Sequence, residues 1–220
     1  MTPLLRKLLR MNWVLVATLL ALAVFGVVAV YSATFNPELR YWQKQAAWVA
    51  IGLGLFIVTS LIDYRWVKWG ALPLYLISIV FLILTYTPLG VEVGGARCWL
   101  NLKVITFQPS QLCVIAGVLV IALFLSQFRR LHPFFKLCIV GAIVGGPMVL
   151  ILKQPDFGMT VVWVPVVMAM LFVGGIPKRY LIVVVLLGAG IALPLVVNFG
   201  LKGYQRARIV SFRDPDIDPK

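Results

Sequence analysis

The stretch "WVLVATLLALAVFGVVAVYS", residues 13–32, contains twenty consecutive residues without a charge. A helix that crosses a bilayer needs roughly 20 mostly apolar residues, so this stretch predicts a membrane span. Arg6, Lys7 and Arg10 precede it, as basic residues precede the apolar region of a signal peptide. The run is longer than such a region, and no small-residue cleavage site follows. We therefore predict an uncleaved membrane anchor.

Similar apolar blocks recur along the whole chain. Hydrophobic residues make up 62% of the 220 residues and the mean hydropathy is +1.00, well above the roughly half-apolar composition of soluble domains. The pattern predicts an all-α fold, a polytopic transmembrane helix bundle that forms one integral membrane domain over residues 1–220. The seven predicted spans are 13–32, 43–62, 70–88, 108–127, 135–152, 159–176 and 181–199, followed by a loop over 199–220.

The net charge of +13 comes from basic residues that lie mostly between the predicted spans. No basic face or known motif indicates nucleic acid, so we expect contact with anionic membrane lipids and an effect on topology. With a cytoplasmic N-terminus, ten Lys and Arg residues lie inside and five in the outside loops before the seventh span ends, which favours that orientation. The loop 199–220 is then outside, and its five further cations bring the outside count level at ten. Either these cations weaken the case for this orientation, or they serve a function.

A metal site is not predicted. The three cysteines are not spaced as metal ligands, and the single histidine, His132, has no second ligand nearby in the sequence.

Two connections between spans have polar residues with two possible roles. In "GVEVGGARCWLNLKVITFQPSQL", residues 90–112, Gly94 and Gly95 permit a tight turn and Trp99 suits a membrane interface. Pro109 and Ser110 indicate a helix start. In "KQPDFG", residues 153–158, Asp156 is placed to cap the sixth span. Composition alone favours an ordinary connector in both places. The alternative is that these residues line a polar site at the membrane surface.

The tail over residues 201–220 has a third polar pattern. On a helical wheel Lys202, Arg206 and Arg213 share one face, which predicts a modest interfacial amphipathic helix able to hold an anionic headgroup. Asp214, Asp216 and Asp218 follow. The alternative is a solvated loop with local ion pairs of little energetic value.

Taken together, four motifs resemble one family. "GARCWLNL", "FQPSQL", "KQPDFG" and "YQRARIVSFRDPDIDP" occur in the order and spacing of the SEDS family of RodA/FtsW-type membrane glycosyltransferases. "DYRWVKW", residues 63–69, is similar to the RodA branch. The resemblance implies polymerisation of lipid II, without a nucleotide sugar, at the outer face of the bacterial cytoplasmic membrane. It also implies a class B penicillin-binding protein as partner.

The resemblance further implies site residues. Asp218 matches the family's essential aspartate and is expected to act as the catalytic base, and Trp99 matches a functionally important tryptophan. The expected substrate-binding residues are Trp99, Arg97, Gln111, Lys153, Asp156, Arg206, Arg208 and Arg213. No cofactor is identified, although a divalent cation is compatible with a diphosphate substrate.

The chain also departs from the family pattern. Cys98 stands where a basic residue is usual, and Gln111 and Val114 replace a glutamate and a lysine. The family has ten spans against seven predicted here, so we expect a fragment or a truncated product that is inactive alone. Two other functions stay open: a lipid-precursor flippase or transporter, for which prolines within spans provide breaks, and a non-catalytic scaffold for a cell-wall synthase.

Overall fold

A computed structural model describes residues 11–34, 41–93, 96–103, 106–154, 156–188 and 190. The chain divides into two compact units, Met1–Trp66 and Val67–Lys220. The fold is a bundle of apolar helices, as predicted. The prediction of one integral membrane domain over the whole chain stays a prediction.

The first unit contains α1 (Trp13–Ala33) and α2 (Tyr41–Leu61), which pack against each other. Helix α1 begins after Asn12, whose Oδ1 accepts a hydrogen bond from the Leu15 amide at 3.2 Å and caps the helix. Neither helix has a buried residue among the described ones. Apolar helices with this much exposed surface suit a lipid environment, in which the backbone bonds are satisfied within each helix.

The second unit is built around α4 (Pro109–Gln127). Helix α3 (Tyr64–Leu84) begins three residues before Val67, where this unit starts. The helices that come after α4 are α5 (Pro133–Lys153), α6 (Phe157–Val173) and α7 (Lys178–Leu187). Helices α5, α6 and strand β2 (Ala96–Asn101) all contact α4. Helices α1 to α5 are each long and apolar enough to cross a membrane, and α6 is apolar but shorter.

Most predicted spans agree with helices to within three residues. The exceptions are the third and seventh. Helix α3 covers 64–84 rather than 70–88, because "YRWVKW" is helical although its two cations lower the local hydropathy. Helix α7 starts three residues before the predicted span 181–199, most of whose second half lies outside the described residues.

Helix α5 runs unbroken through Gly145, Gly146 and Pro147, where the sequence left the fifth span weakest. Proline has no amide hydrogen, so Pro147 leaves the carbonyl of Ile143 without its usual partner four residues on. The hydroxyl of Tyr75 on α3 donates a hydrogen bond to that carbonyl instead. A neighbouring helix thus satisfies the backbone group that the proline frees, as membrane bundles require.

A small antiparallel sheet between α3 and α4 was not predicted. Strands β1 (Gly90–Val93), β2 and β3 (Thr106–Phe107) lie in the order β1-β2-β3. Val93 pairs with Ala96, so only two residues join β1 to β2. Alternating side chains around a Gly-Gly pair are the usual signal of a hairpin, and that signal was present in "VEVGGARCWLN".

The core of the second unit lies between α4, α5 and α6. Trp163 on α6 is fully buried, and its ring lies directly over Gly117 of α4. A Cβ atom at Gly117 would stand 2.3 Å from Trp163 Cη2, so only glycine allows this contact. The absence of a side chain at Gly117 therefore lets α4 and α6 pack closely at this point.

Candidate functional site

The beginnings of α4 and α6 meet at the end of the bundle that carries the sheet. Gln108 precedes α4, and its Nε2 donates a 2.6 Å hydrogen bond to Oδ2 of Asp156, which precedes α6. The described parts of the connections 89–107 and 153–158 therefore lie at the same end of this unit, as the alternation of spans requires. Which side of the membrane this end faces stays a prediction.

The same Asp156 carboxylate accepts the hydrogen bond from Gln108 and caps α6. Its Oδ1 accepts a hydrogen bond from the Met159 amide at 3.2 Å, which confirms the predicted helix cap. Its Oδ2 also lies 3.5 Å from the Ser110 hydroxyl, at the outer limit of a hydrogen bond. Both carboxylate oxygens are thus occupied by groups of the protein itself.

Gln111 is also hydrogen-bonded to Gln108. The exposed Gln111 donates from Nε2 to Gln108 Oε1 at 3.1 Å. That bond orients the Gln108 amide nitrogen toward Asp156. A glutamate at position 111, which the family resemblance leads us to expect, would offer only acceptors when ionised and would favour the opposite orientation of Gln108. Gln111 therefore fits the polarity of this network.

Gln108 itself was missed by sequence reasoning. The available signal was its place in "FQPSQL", one residue before the Pro109 helix start and three before Gln111, which is the spacing of neighbours on a helix face.

The thiol of Cys98 lies beside this network. Strand β2 alternates, so that Cys98 and Leu100 are buried while Arg97 and Trp99 face the other way. Burial raises the pKa of the Cys98 thiol, and the negative charge of Asp156 raises it further. The raised pKa favours the neutral thiol, and because a thiol has no cationic form, Cys98 supplies no positive charge to Asp156. Gln108 and the helix cap satisfy that carboxylate instead.

Arg97 ties the hairpin to the end of α3. Its Nε donates to the Gly90 carbonyl at 3.1 Å and its Nη2 to the Thr87 carbonyl at 2.9 Å. Gly90 has to be glycine, because a Cβ atom there would lie 1.9 Å from the Thr85 carbonyl oxygen. Trp99 is half-buried in β2 and pairs with Val91 of β1.

The end of α5 is anchored by a buried glutamine. Gln154 Nε2 donates to the Leu82 carbonyl at 3.2 Å and to Thr85 Oγ1 at 2.6 Å. Lys153, one residue earlier, is exposed in the last turn of α5, where a cation is favourable to the helix dipole.

Of the predicted site residues, the structure brings Gln111 and Asp156 together and places Arg97, Trp99 and Lys153 on the surrounding elements. The remaining predicted site residues lie outside the described residues: Asp218, Arg206, Arg208 and Arg213. Within the described part of the chain, no group of three or more His, Cys, Asp or Glu could hold a metal ion.

Comparison with known proteins identifies the family. The model of the FtsW, RodA and SpoVE proteins, described as "Cell cycle protein", matches residues 12–220. The chain belongs to this family, the SEDS family. It is 33% identical to the "Probable peptidoglycan glycosyltransferase FtsW" of Thiomicrospira cyclica, over 93% of this chain and 54% of that protein. It is 29% identical to the "Peptidoglycan glycosyltransferase MrdB" of Escherichia coli K12, over 91% of this chain and 54% of that protein.

Solved structures show the same fold. One described as "Structural coordination of polymerization and crosslinking by a peptidoglycan synthase complex" matches with a TM-score of 0.76 and 30% identity, over 96% of this chain and 61% of that one. The crystal structure of Thermus thermophilus "Rod shape determining protein RodA" matches with a TM-score of 0.71 and 30% identity, over 80% of this chain and 57% of that one. The chain thus spans a little over half the length of the relatives it matches. Its five long apolar helices and its family make it a multi-pass membrane protein.

Proposed function

We propose that the protein is a RodA-like peptidoglycan glycosyltransferase, which polymerises lipid II into glycan strands at the outer face of the bacterial cytoplasmic membrane. The observation that carries the proposal is the family match over residues 12–220, which includes every segment assigned to the substrate. Relatives named peptidoglycan glycosyltransferases support the reaction class. "DYRWVKW" supports the RodA-like branch and thereby a role in cell shape and elongation.

The reaction needs a base and a stabilised leaving group. Lipid II has a diphosphate at C1 of its disaccharide, and the 4-hydroxyl of a second sugar attacks that carbon. In the proposed mechanism Asp218 removes the hydroxyl proton. Arg206, Arg208 and Arg213 stabilise the negative charge that develops on the diphosphate. A divalent cation would be an additional source of positive charge there.

The geometry supports separate roles for the other predicted residues. Asp156 and Arg97 are both engaged with the protein itself, so we propose that they hold the outer end of the bundle in shape. Trp99 and Lys153 have exposed surface and are proposed to contact the substrate, together with Gln111. A cytoplasmic N-terminus and seven spans predict that the loop 199–220 is on the same side of the membrane as these residues.

A class B penicillin-binding protein is the proposed partner. It would crosslink the strand that the glycosyltransferase makes. The similar structure of a peptidoglycan synthase complex, which couples polymerisation to crosslinking, supports this assignment.

Reconstitution with lipid II tests the proposal. The whole product of the gene is placed in proteoliposomes, and glycan polymer and lipid II translocation are measured in parallel. We expect Asp218→Asn to lower polymerisation by about 10²- to 10⁴-fold, the usual contribution of a positioned base. Asp216→Asn, two residues away in the same loop, is the matched control and should retain activity.

Each other outcome points elsewhere. Unchanged polymerisation in Asp218→Asn would show that Asp218 is not the base. Translocation without polymerisation would identify a flippase. Capture of the penicillin-binding partner with neither activity would identify a scaffold.

A further inference from the structure

A second site lies at the other end of the bundle. Helices α4 and α6 start together beside the sheet, and α4, with 19 residues, extends about 28 Å from it. Between the last turns of the two helices is a cleft of about 680 Å³. This volume falls within the roughly 300–1,000 Å³ range of small-molecule sites. Its lining residues are Ala122, Leu125, Ser126, Arg129, Ala169, Met170, Val173, Gly174 and Gly175.

The cleft has an apolar wall and a polar mouth. Side chains of α4 and α6 form the wall, and the cleft is open to the surface of the protein. Leu125 forms its floor against the turn after α6, where a Cβ atom at Gly174 would lie 2.8 Å from Leu125 Cδ1. Ser126 and Arg129 are exposed at the mouth. A ligand that suits both parts must itself be amphipathic.

The charge at this end is positive. In the described part of the second unit the acidic residues are Glu92 in strand β1 and Asp156 before α6, and both lie at the end that carries the sheet. Five cations lie at the opposite end, in the turn after α4 and in the first turns of α5 and α7: Arg129, Arg130, Lys136, Lys178 and Arg179. Helices α4 and α6 end here while α5 and α7 begin here, so their dipoles largely cancel. The side chains therefore determine the sign of the field.

The backbone around the mouth is already hydrogen-bonded. The amides of Gly174, Gly175 and Ile176 donate to carbonyls of α6, and Lys136 Nζ donates to the Arg129 carbonyl at 2.9 Å. An anion would therefore be held by the Arg129 side chain rather than by free amides. Lys136 is only 5% exposed, and no carboxylate pairs with it among the described residues. A buried cation without a counter-ion is costly, so a nearby anion would stabilise this end of the fold.

From these observations we propose that the cleft binds an anionic phospholipid of the adjacent leaflet. The guanidinium of Arg129 holds the phosphate by paired hydrogen bonds, and the neighbouring cations add to the attraction. One acyl chain lies along the wall between α4 and α6. Basic pockets between transmembrane helices are known to bind anionic headgroups, and the apolar wall favours a lipid over a free phosphate.

Native mass spectrometry with phosphatidylglycerol tests the site. The whole gene product is titrated in detergent with phosphatidylglycerol and, separately, with phosphatidylcholine. We expect preferential binding of phosphatidylglycerol and about tenfold weaker binding in Arg129→Gln, the loss of one hydrogen-bonded charge pair. Arg129→Lys should retain part of the affinity. Arg65→Gln removes an exposed cation outside the cleft and is the charge-matched control.

A cleft-filling variant separates this site from general surface charge. Ala169→Phe adds an aromatic ring to an exposed position of the wall without changing charge, and it should also weaken phosphatidylglycerol binding. The proposal is overturned by equal binding of both lipids or by equal losses in Arg129→Gln and Arg65→Gln. Unchanged affinity in Ala169→Phe, or full competition by inorganic phosphate alone, would also overturn it.

Discussion

Replacing Asp156 by alanine should destabilise the junction of α4 and α6 by a predictable amount. The variant loses the cap bond from Met159 and the 2.6 Å bond from Gln108. A cap is worth about 1 kcal/mol, and a hydrogen bond to a charged oxygen about 1.5–3 kcal/mol. We take the lower end for the second bond because the pair is only half-buried, and nothing for the long Ser110 contact. The expected loss in the free energy of unfolding is about 2–3 kcal/mol, or roughly 5–10 °C in Tm.

Thermal unfolding in detergent, followed by circular dichroism, measures this loss. Asp156→Asn retains an oxygen that can cap α6, since Asn is a good N-cap, and should lose less than Asp156→Ala. Gln108→Ala and the double variant complete a mutant cycle. We expect a coupling energy of about 1–2 kcal/mol between the two positions.

Additivity would refute the reasoning. If the double variant loses as much as the two single variants together, the bond between Gln108 and Asp156 contributes nothing to stability. An unchanged Tm in Asp156→Ala would show that neither the cap nor the junction stabilises the fold.

Two further substitutions test packing inside the second unit by thermal unfolding. Tyr75→Phe removes the hydroxyl that donates to the Ile143 carbonyl, which Pro147 leaves without an amide partner. The free energy of unfolding should fall by about 1 kcal/mol. Tyr86→Phe should cost less, because its acceptor carbonyl also receives a backbone amide, and equal losses would contradict the argument. Gly117→Ala pushes against the buried Trp163 ring and should cost about 1–3 kcal/mol. Gly141→Ala meets no atom within 4 Å and should be neutral or stabilising, so a similar loss there would count against the packing reason.

Hydropathy predicted the helices because spanning a bilayer imposes one requirement on length and composition. It missed the start of α3, where Arg65 and Lys68 lower the average although the backbone stays helical. The fifth span, which is α5, was the weakest of the span predictions. Pro147 is expected to break a helix unless a neighbouring side chain supplies the missing hydrogen-bond donor. That donor, Tyr75, is 68 residues from the Ile143 carbonyl that it satisfies, beyond any local pattern.

The site was predicted in part for the same reason. Asp156 and Pro109 were assigned as helix starts from signals within a few residues, and the structure confirms both. Their meeting through Gln108 was not predicted, because it joins residues 48 positions apart. The β-hairpin was not predicted, although Gly94, Gly95 and the alternating residues around them are a local signal for it.

The sequence by itself determined the membrane class, the number of apolar helices and the family, since each depends on local composition or on motif order. Only the tertiary structure decided how polar residues share partners. It joined Gln111, Gln108 and Asp156 into one network, engaged Arg97 with the hairpin, and left Arg129 beside an apolar cleft. These arrangements depend on how helices pack, and contacts such as that of Gly117 with Trp163 set that packing across long sequence separations.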